Sequence, residues 1–252
     1  MQLARTQVQE GNPSAALESL RKARTLAPNS EEVLNAFAQV ALAARATTPA
    51  ILTLESLTRM CASVAQYHHM LGVALLQAGD LPASLDSLRR AEVLEPNRAP
   101  TLVALGVALN ARSSYGEAKD ALIRALELEP DHIEAAAALA EAEAALGDLV
   151  AADARAGRVL ERSSTHAVAN LVVGMVRLKQ ERYPEARDAL LRAAEANPMS
   201  QKVHYQLSLA YARLGDDVNS TKHQELYRQR MREAEERVRE LRAQTGMPGS
   251  VR

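Results

Sequence analysis

The stretch 99–132, APTLVALGVALNARSSYGEAKDALIRALELEPDH, decides the fold. Its apolar residues form two groups at helical spacing, roughly positions 2–14 and 18–30 of the stretch, divided by a polar turn. Pro100 stands at the start of the first group. Pro130, at position 32, lies just past the second, where proline ends a helix and stiffens the connection. The stretch therefore reads as one helical hairpin.

The same pattern recurs along the chain. Pro28, Pro96, Pro130 and Pro198 are separated by 68, 34 and 68 residues, and Gly11, Gly79, Gly147 and Gly215 by a constant 68. A fixed period of this size means an array of repeats. With proline at position 32 the repeats are 31–64, 65–98, 99–132, 133–166, 167–200 and 201–234, preceded by a partial one at 1–30. Positions not used to set this frame agree with it. Position 8 is small in every repeat (Ala4, Ala38, Gly72, Gly106, Ala140, Gly174, Ser208), and so is position 20 (Ala16, Ala50, Ser84, Ala118, Ala152, Ala186, Ser220). Position 24 is Leu20, Leu54, Leu88, Leu122, Ala156 and Leu190, failing only at Gln224. Small residues let paired helices approach closely and the leucines fill what space remains. Glycine at position 15 suits the left-handed residue that closes a helix. Pro13, Pro49, Pro82 and Pro184 fall in the first turn of the second helix, where a missing donor costs little.

Composition supports an all-α chain. Hydrophobic residues are 47% and aromatics 3%, with no Trp and Phe37 alone, so the core is built from Leu, Ala and Val, of which Leu and Ala favour helix. The formal net charge of −1 gives no bias toward nucleic acid. Cys61 is the only cysteine, which excludes an internal disulfide, and it reads as a buried structural thiol. No apolar run approaches the length of a membrane span. The start is not a signal peptide, so a cytoplasmic address is the default. The partial first repeat suggests a piece of a longer chain, and an upstream signal would make the protein exported or envelope-associated.

These positions resemble the tetratricopeptide repeat. In 99–132 the resemblance is carried by Leu105, Gly106, Tyr115, Ala118, Leu122, Ala125 and Pro130. It implies a right-handed superhelical solenoid of antiparallel hairpins over 1–216. Beyond it, 217–244 reads as a charged C-terminal helix, free of Pro and Gly, and 245–252 as a disordered tail. Two repeats depart from the pattern. Repeat 31–64 has Arg45 at position 15, Leu57 at position 27 and Ala62 at position 32, whereas 133–166 has Glu143 at position 11 and Ser164 at position 32. Irregular stacking is expected at both.

The resemblance also implies a concave groove lined by positions 2, 5, 9, 12 and 13 of the first helices. Repeat 65–98 then contributes His69 and Val73, repeat 99–132 contributes Val103, Val107 and Asn110, and repeat 133–166 contributes Glu141. Leu171, Met175 and Lys179 follow from 167–200, and Lys202, Tyr205, Leu209 and Arg213 from 201–234. The surface is mostly apolar and suits an amphipathic helix or extended peptide of a protein partner. The chaperone-type clamp on a terminal carboxylate is not expected, because His69, Val103, Val107 and Ala137 cannot supply its cations. Lys179, Lys202 and Arg213 form the only basic group on this face.

In the C-terminal helix Tyr227, Met231, Ala234, Val238 and Leu241 make a seam that packs on the last repeat or pairs weakly with a second copy. No catalytic, cofactor or metal constellation is present. His68 and His69 diverge on a helix, the other histidines lack ligand spacing, and the glycines are single rather than a phosphate loop. The function expected is a protein-interaction scaffold and not an enzyme. The alternatives are a regulatory or targeting array of a larger enzyme and a bacterial envelope assembly factor.

Overall fold

Helices begin and end at the positions the repeat marks. The computed structural model describes Gln7 and residues 11–246. Among them, first helices of the hairpins are α2 (Glu31–Ala43), α4 (Ala65–Ala78), α6 (Ala99–Ala111), α8 (Ile133–Leu146), α10 (Ala167–Lys179) and α12 (Gln201–Arg213). Second helices are α1 (Pro13–Leu26), α3 (Thr47–Met60), α5 (Leu81–Leu94), α7 (Tyr115–Leu128), α9 (Leu149–Arg162), α11 (Tyr183–Ala196) and α13 (Asp217–Thr245). No strand occurs among the described residues, and the fold is an all-α array of helical hairpins.

Side chains outside the apolar pattern set the helix ends. Ser30, His132, His166 and Ser200, each at position 34, accept from the amides of Val33, Ala135, Ala169 and Val203. Asn12, Asp80 and Asp148, at position 16, do the same for Ala15, Ala83 and Ala151. Each satisfies a donor that the first helical turn leaves open. Position 15 is left-handed in every hairpin, whether or not it is glycine. Gly11, Gly79, Gly147 and Gly215 have φ of 72°, 88°, 92° and 75°, and between them Arg45, Ser113 and Glu181 have φ of 53°, 66° and 61°.

Inside the hairpins, position 8 meets position 24. A Cβ added to Gly72, Gly106 or Gly174 would lie 2.5, 2.4 or 2.4 Å from the Cγ of Leu88, Leu122 or Leu190. Backbone and leucine are already in contact, so no room for a methyl remains. Repeat 133–166 reverses the assignment: Ala140 and Ala156 are both fully buried, and a methyl replaces glycine where leucine has shrunk to alanine. Repeat 31–64 holds Ala38 with Leu54 in a hairpin built around both. Where position 20 is serine, its hydroxyl donates to the position 8 carbonyl, Ser84 to Gly72 at 2.7 Å and Ser220 to Ser208 at 3.0 Å.

The expected irregularity at Glu143 has a compensating partner. The carboxylate is 4% exposed and receives two bonds from Arg155 on the paired helix, at 3.0 and 2.9 Å. Position 11 thus pairs with position 23. The same two positions are used by Gln7 and Ser19 and by Tyr211 and His223. In repeat 31–64, Leu57 is fully buried and Arg45 takes the left-handed turn in place of glycine. Cys61 is half-buried rather than buried, packed against the edge of a core.

Two compact bodies divide the chain, one made of 1–96 with 237–252 and one of 97–236. The core of the first contains Leu20, Phe37, Leu54, Met70 and Leu75, joined by Leu241 from the end of α13. The second has one cluster around Ala140, Val159, Val172 and Val176 and another around Leu171, Leu190, Val203 and Leu207. Helix α13 extends to Thr245, whose hydroxyl donates to the Leu241 carbonyl at 2.9 Å. The tail expected from 245 therefore begins with a helical residue, and 247–252 lie outside the described residues, as does most of the first helix of the partial repeat.

Three substitutions test this geometry. Gly174→Ala is expected to cost about 1–3 kcal/mol by overpacking, and in the background of Leu190→Ala to cost at least about 1 kcal/mol less. Denaturant unfolding of the two single variants and the double one measures this, and simple additivity would refute the contact. Glu181→Gly is expected to stabilise the chain by about 1 kcal/mol by removing the left-handed penalty of a side chain. A lowered melting temperature for that variant would contradict it.

Candidate partner-binding surface

In the body 97–236 the first helices α6, α8, α10 and α12 pack side by side. This aligns their position 9 residues, Val107, Glu141, Met175 and Leu209. Val107 is 36% exposed, Leu209 40% and Tyr205, at position 5 of the last repeat, 46%. Met175 and Glu141 are half-buried, while Lys179 and Arg213 are exposed. In the other body, His69 and Val73 are half-buried.

Three expected lining residues are not on an open face. Val103, Leu171 and Asn110 are 8, 4 and 3% exposed. Positions 5 and 12 pack between adjacent first helices in these repeats. Asn110 Nδ2 donates to the Ala138 carbonyl of α8 at 2.7 Å, and its buried Oδ1 has no hydrogen-bond partner among the described residues.

Lys202 is not a free cation of the rim. Its Nζ donates to Glu141 Oε1 at 2.6 Å and to the Tyr115 hydroxyl at 3.2 Å, and lies 5.0 Å above the Tyr115 ring. Burial works against its charge, but Glu141 and Tyr115 more than offset this and hold its pKa above the ordinary lysine value. One side chain thereby ties repeat 201–234 to 133–166 and to 99–132. Tyr115 has no place among the inward positions of a first helix, and only its distance from Lys202 in the folded chain reveals it. Beside this tie the Tyr205 ring stands 5.6 Å from Tyr227 of α13, and Gln201 Nε2 donates to the Arg230 carbonyl at 3.2 Å.

Histidine side chains have structural work. His68 Nε2 lies 2.9 Å from the Ala62 carbonyl, and His132 and His166 cap α8 and α10. His204 Nε2 lies 3.0 Å from the Pro198 carbonyl and its Nδ1 3.2 Å from His223 Nδ1. A carbonyl only accepts, so His204 carries its proton on Nε2; with both rings neutral, His223 Nδ1–H donates to His204. The rings stack at 5.3 Å, and Tyr211 stacks on the far side of His223 at 5.5 Å. Burial, then His204 and Lys222, lower the His223 pKa to about 4. Burial also lowers His166, with Glu134 acting in the opposite direction. This pairing was missed in the sequence, although His204 and His223 flank the same hairpin turn.

Burial and hydrogen bonding to Glu31 push the Tyr67 phenol up to about 12, and the same influences raise the Cys61 thiol, disfavouring its thiolate. Between α7 and α9 an open cleft of about 470 Å³ is lined by Leu126, Ile133, Arg155, Arg158 and Arg162, with Asp131 and Glu161 beside them. Among the described residues no group of three or more His, Cys, Asp or Glu is placed to hold a metal ion. No described helix is long and apolar enough to cross a membrane.

Residues 174–220 match the sequence model of the tetratricopeptide repeat, and the array of hairpins has the tetratricopeptide-repeat fold. No curated protein sequence matches it. Among solved structures, a tetratricopeptide repeat protein from Parabacteroides merdae is similar over 98% of this chain and 97% of its own, with 12% identity and a TM-score of 0.67. A chain of the APC/C hetero-tetramer Cut9–Hcn1 is similar over 82% of this chain, with 19% identity and a TM-score of 0.69, and the match spans 41% of that longer chain. A thermophilic tetratricopeptide protein of Thermus thermophilus is similar over 77% of this chain and 95% of its own, with 23% identity and a TM-score of 0.54. These likenesses are of fold. Proteins of this fold generally mediate protein–protein contacts and are generally not enzymes.

The buried histidines make an acid prediction. A pKa held below the ordinary value of about 6.5 means that the folded state binds fewer protons than the unfolded one. The corresponding stability is complete above that value and is lost as the pH falls toward the folded pKa of about 4. The melting temperature is expected to drop between about pH 7.5 and about pH 4.5, and to drop less in His223→Gln. Equal drops in both proteins would show that His223 is not the source.

Proposed function

We propose that the inner face of the body 97–236 binds a segment of a protein partner, as a scaffold and not as a catalyst. The observation that carries this reading is the exposure of Val107, Tyr205 and Leu209, large apolar side chains on first helices of the array. Neighbouring packed helices stand roughly 8–10 Å apart. That spacing is close to the rise of seven residues of helix or three of extended chain, so apolar anchors so spaced on a partner meet successive position 9 residues. The exposed Lys179 and Arg213 favour acidic residues beside those anchors. Lys202, Glu141 and Tyr115 are already fixed to one another. Part of the surface is thus ordered before binding, which lowers the entropy cost.

The test compares captured partners in the native host. Val107→Glu combined with Leu209→Glu places charge on two exposed inward positions and is expected to lose proteins that the unmodified chain retains. Val150→Glu, at a position 83% exposed on a second helix, is the control and is expected to retain them. Retention by the double variant, or equal loss by the control, would end the reading.

A further inference from the structure

The end of α13 is seated on the turn between α4 and α5, within the body formed by 1–96 and 237–252. Arg242 donates from Nε to Asp80 Oδ2 and from Nη2 to Asp80 Oδ1, both at 2.7 Å. Asp80 is 1% exposed and Leu241 5%, and Leu241 belongs to one apolar cluster with Met70, Leu71 and Leu75, against which Ala78 and Ala83 also pack. One turn earlier, Val238 Cγ2 lies 3.5 Å from the place a Cβ on Gly79 would occupy.

The turn alone does not account for this burial. Gly147 and Asp148 occupy the same two repeat positions, and Asp148 also caps its helix, through Ala151. Yet Asp148 is exposed, and a Cβ on Gly147 would meet nothing within 4 Å. What differs at Asp80 is the guanidinium fork laid over it and the apolar side chain set beside it. A bidentate fork on a carboxylate adds geometric specificity, and a few buried anchors carry most of the binding energy between chains.

We infer that residues 237–246 are a built-in ligand, and that the Ala78–Ala83 turn accepts in their place a partner's amphipathic helix carrying the pattern Val-x-x-Leu-Arg. The seat belongs to the body 1–96 with 237–252 and uses none of the residues of the proposed binding face, so it stands or falls independently of the function proposed above. The segment is suited to exchange. Of its residues only Leu241 is buried, and Arg237, Arg239, Glu240, Ala243 and Gln244 are exposed. Tethering supplies a high local concentration, which lets a modest set of contacts hold the segment and lets a helix of matching chemistry compete for the seat.

The probe is a fluorescent peptide of residues 230–246, followed by anisotropy with full-length chains. Leu241→Asp with Arg242→Glu undocks the native segment, and this variant is expected to bind the peptide at least about tenfold tighter than the unmodified chain does. Adding Asp80→Asn keeps the helix cap but breaks the fork, and is expected to weaken that binding at least about tenfold. Equal binding by the unmodified chain and the undocked variant, or no effect of Asp80→Asn, overturns the proposal. A second measurement needs no variant. In the unmodified chain, amides of 239–245 are expected to exchange with solvent at least about a hundredfold faster than those in the middle of α5. Exchange in step with α5 would mean that the segment leaves only on unfolding, which also overturns it.

Discussion

The closest approach of the two helices in each hairpin governs the rest of the molecule. Gly72, Gly106 and Gly174 lie against Leu88, Leu122 and Leu190 with no space for a methyl between them. Contact this tight leaves the hairpin few ways to close, because close-packed interiors transmit a displacement rather than absorb it. It also aims the next residue. One step along a helix turns a side chain by about 100°, so a residue following the contact position faces away from the partner helix. Val107 and Leu209 stand directly after Gly106 and Ser208, and both are exposed. The packing of the core and the presentation of the candidate surface are thus one geometric fact.

Around that contact the repeats differ by exchanging one satisfied pair for another. Glu143 is buried because Arg155 comes with it, and His223 sits between Tyr211 and His204. A buried charge without its partner is costly, so such positions change in pairs or not at all. A similar economy holds at the connections. The carbonyl at position 32 belongs to Ala62, Ser164 or Pro198, and position 4 answers it with His68, Asn170 or His204. The loss of proline in two repeats therefore does not leave the connection unsupported.

Much of this was legible in the sequence, for a physical reason. Small residues, left-handed turns and helix-ending prolines act locally, and local constraints repeat with the chain's own period. Gly79 and Gly147 announced their turns; Arg45, Ser113 and Glu181, which adopt the same backbone, did not, because propensity gave no hint of them. The candidate surface was harder to read. Positions 5 and 12 look identical on a helical wheel whether they face a groove or a neighbouring helix, and Val103, Leu171 and Asn110 face the neighbour. Nor does any short-range signal join Lys202 to Glu141, 61 residues away, or Arg242 to Asp80, 162 residues away. Those pairs exist only once the array has stacked.

The ties made by Lys202 and Arg242 change how the array comes apart. A solenoid in which each repeat touches only its neighbours behaves as a one-dimensional chain, free to melt inward from either end. Lys202 of repeat 201–234 skips 167–200 to reach Glu141, and Arg242 links the last helix to the turn of repeat 65–98. Each such link joins side chains far apart in the sequence inside one compact body. Loosening the last helix then strips a buried carboxylate of its cation in a repeat far earlier in the sequence. In this sense position along the chain ceases to rank the repeats by their exposure to disturbance, because release of the last turns of α13 is felt at a turn 162 residues earlier.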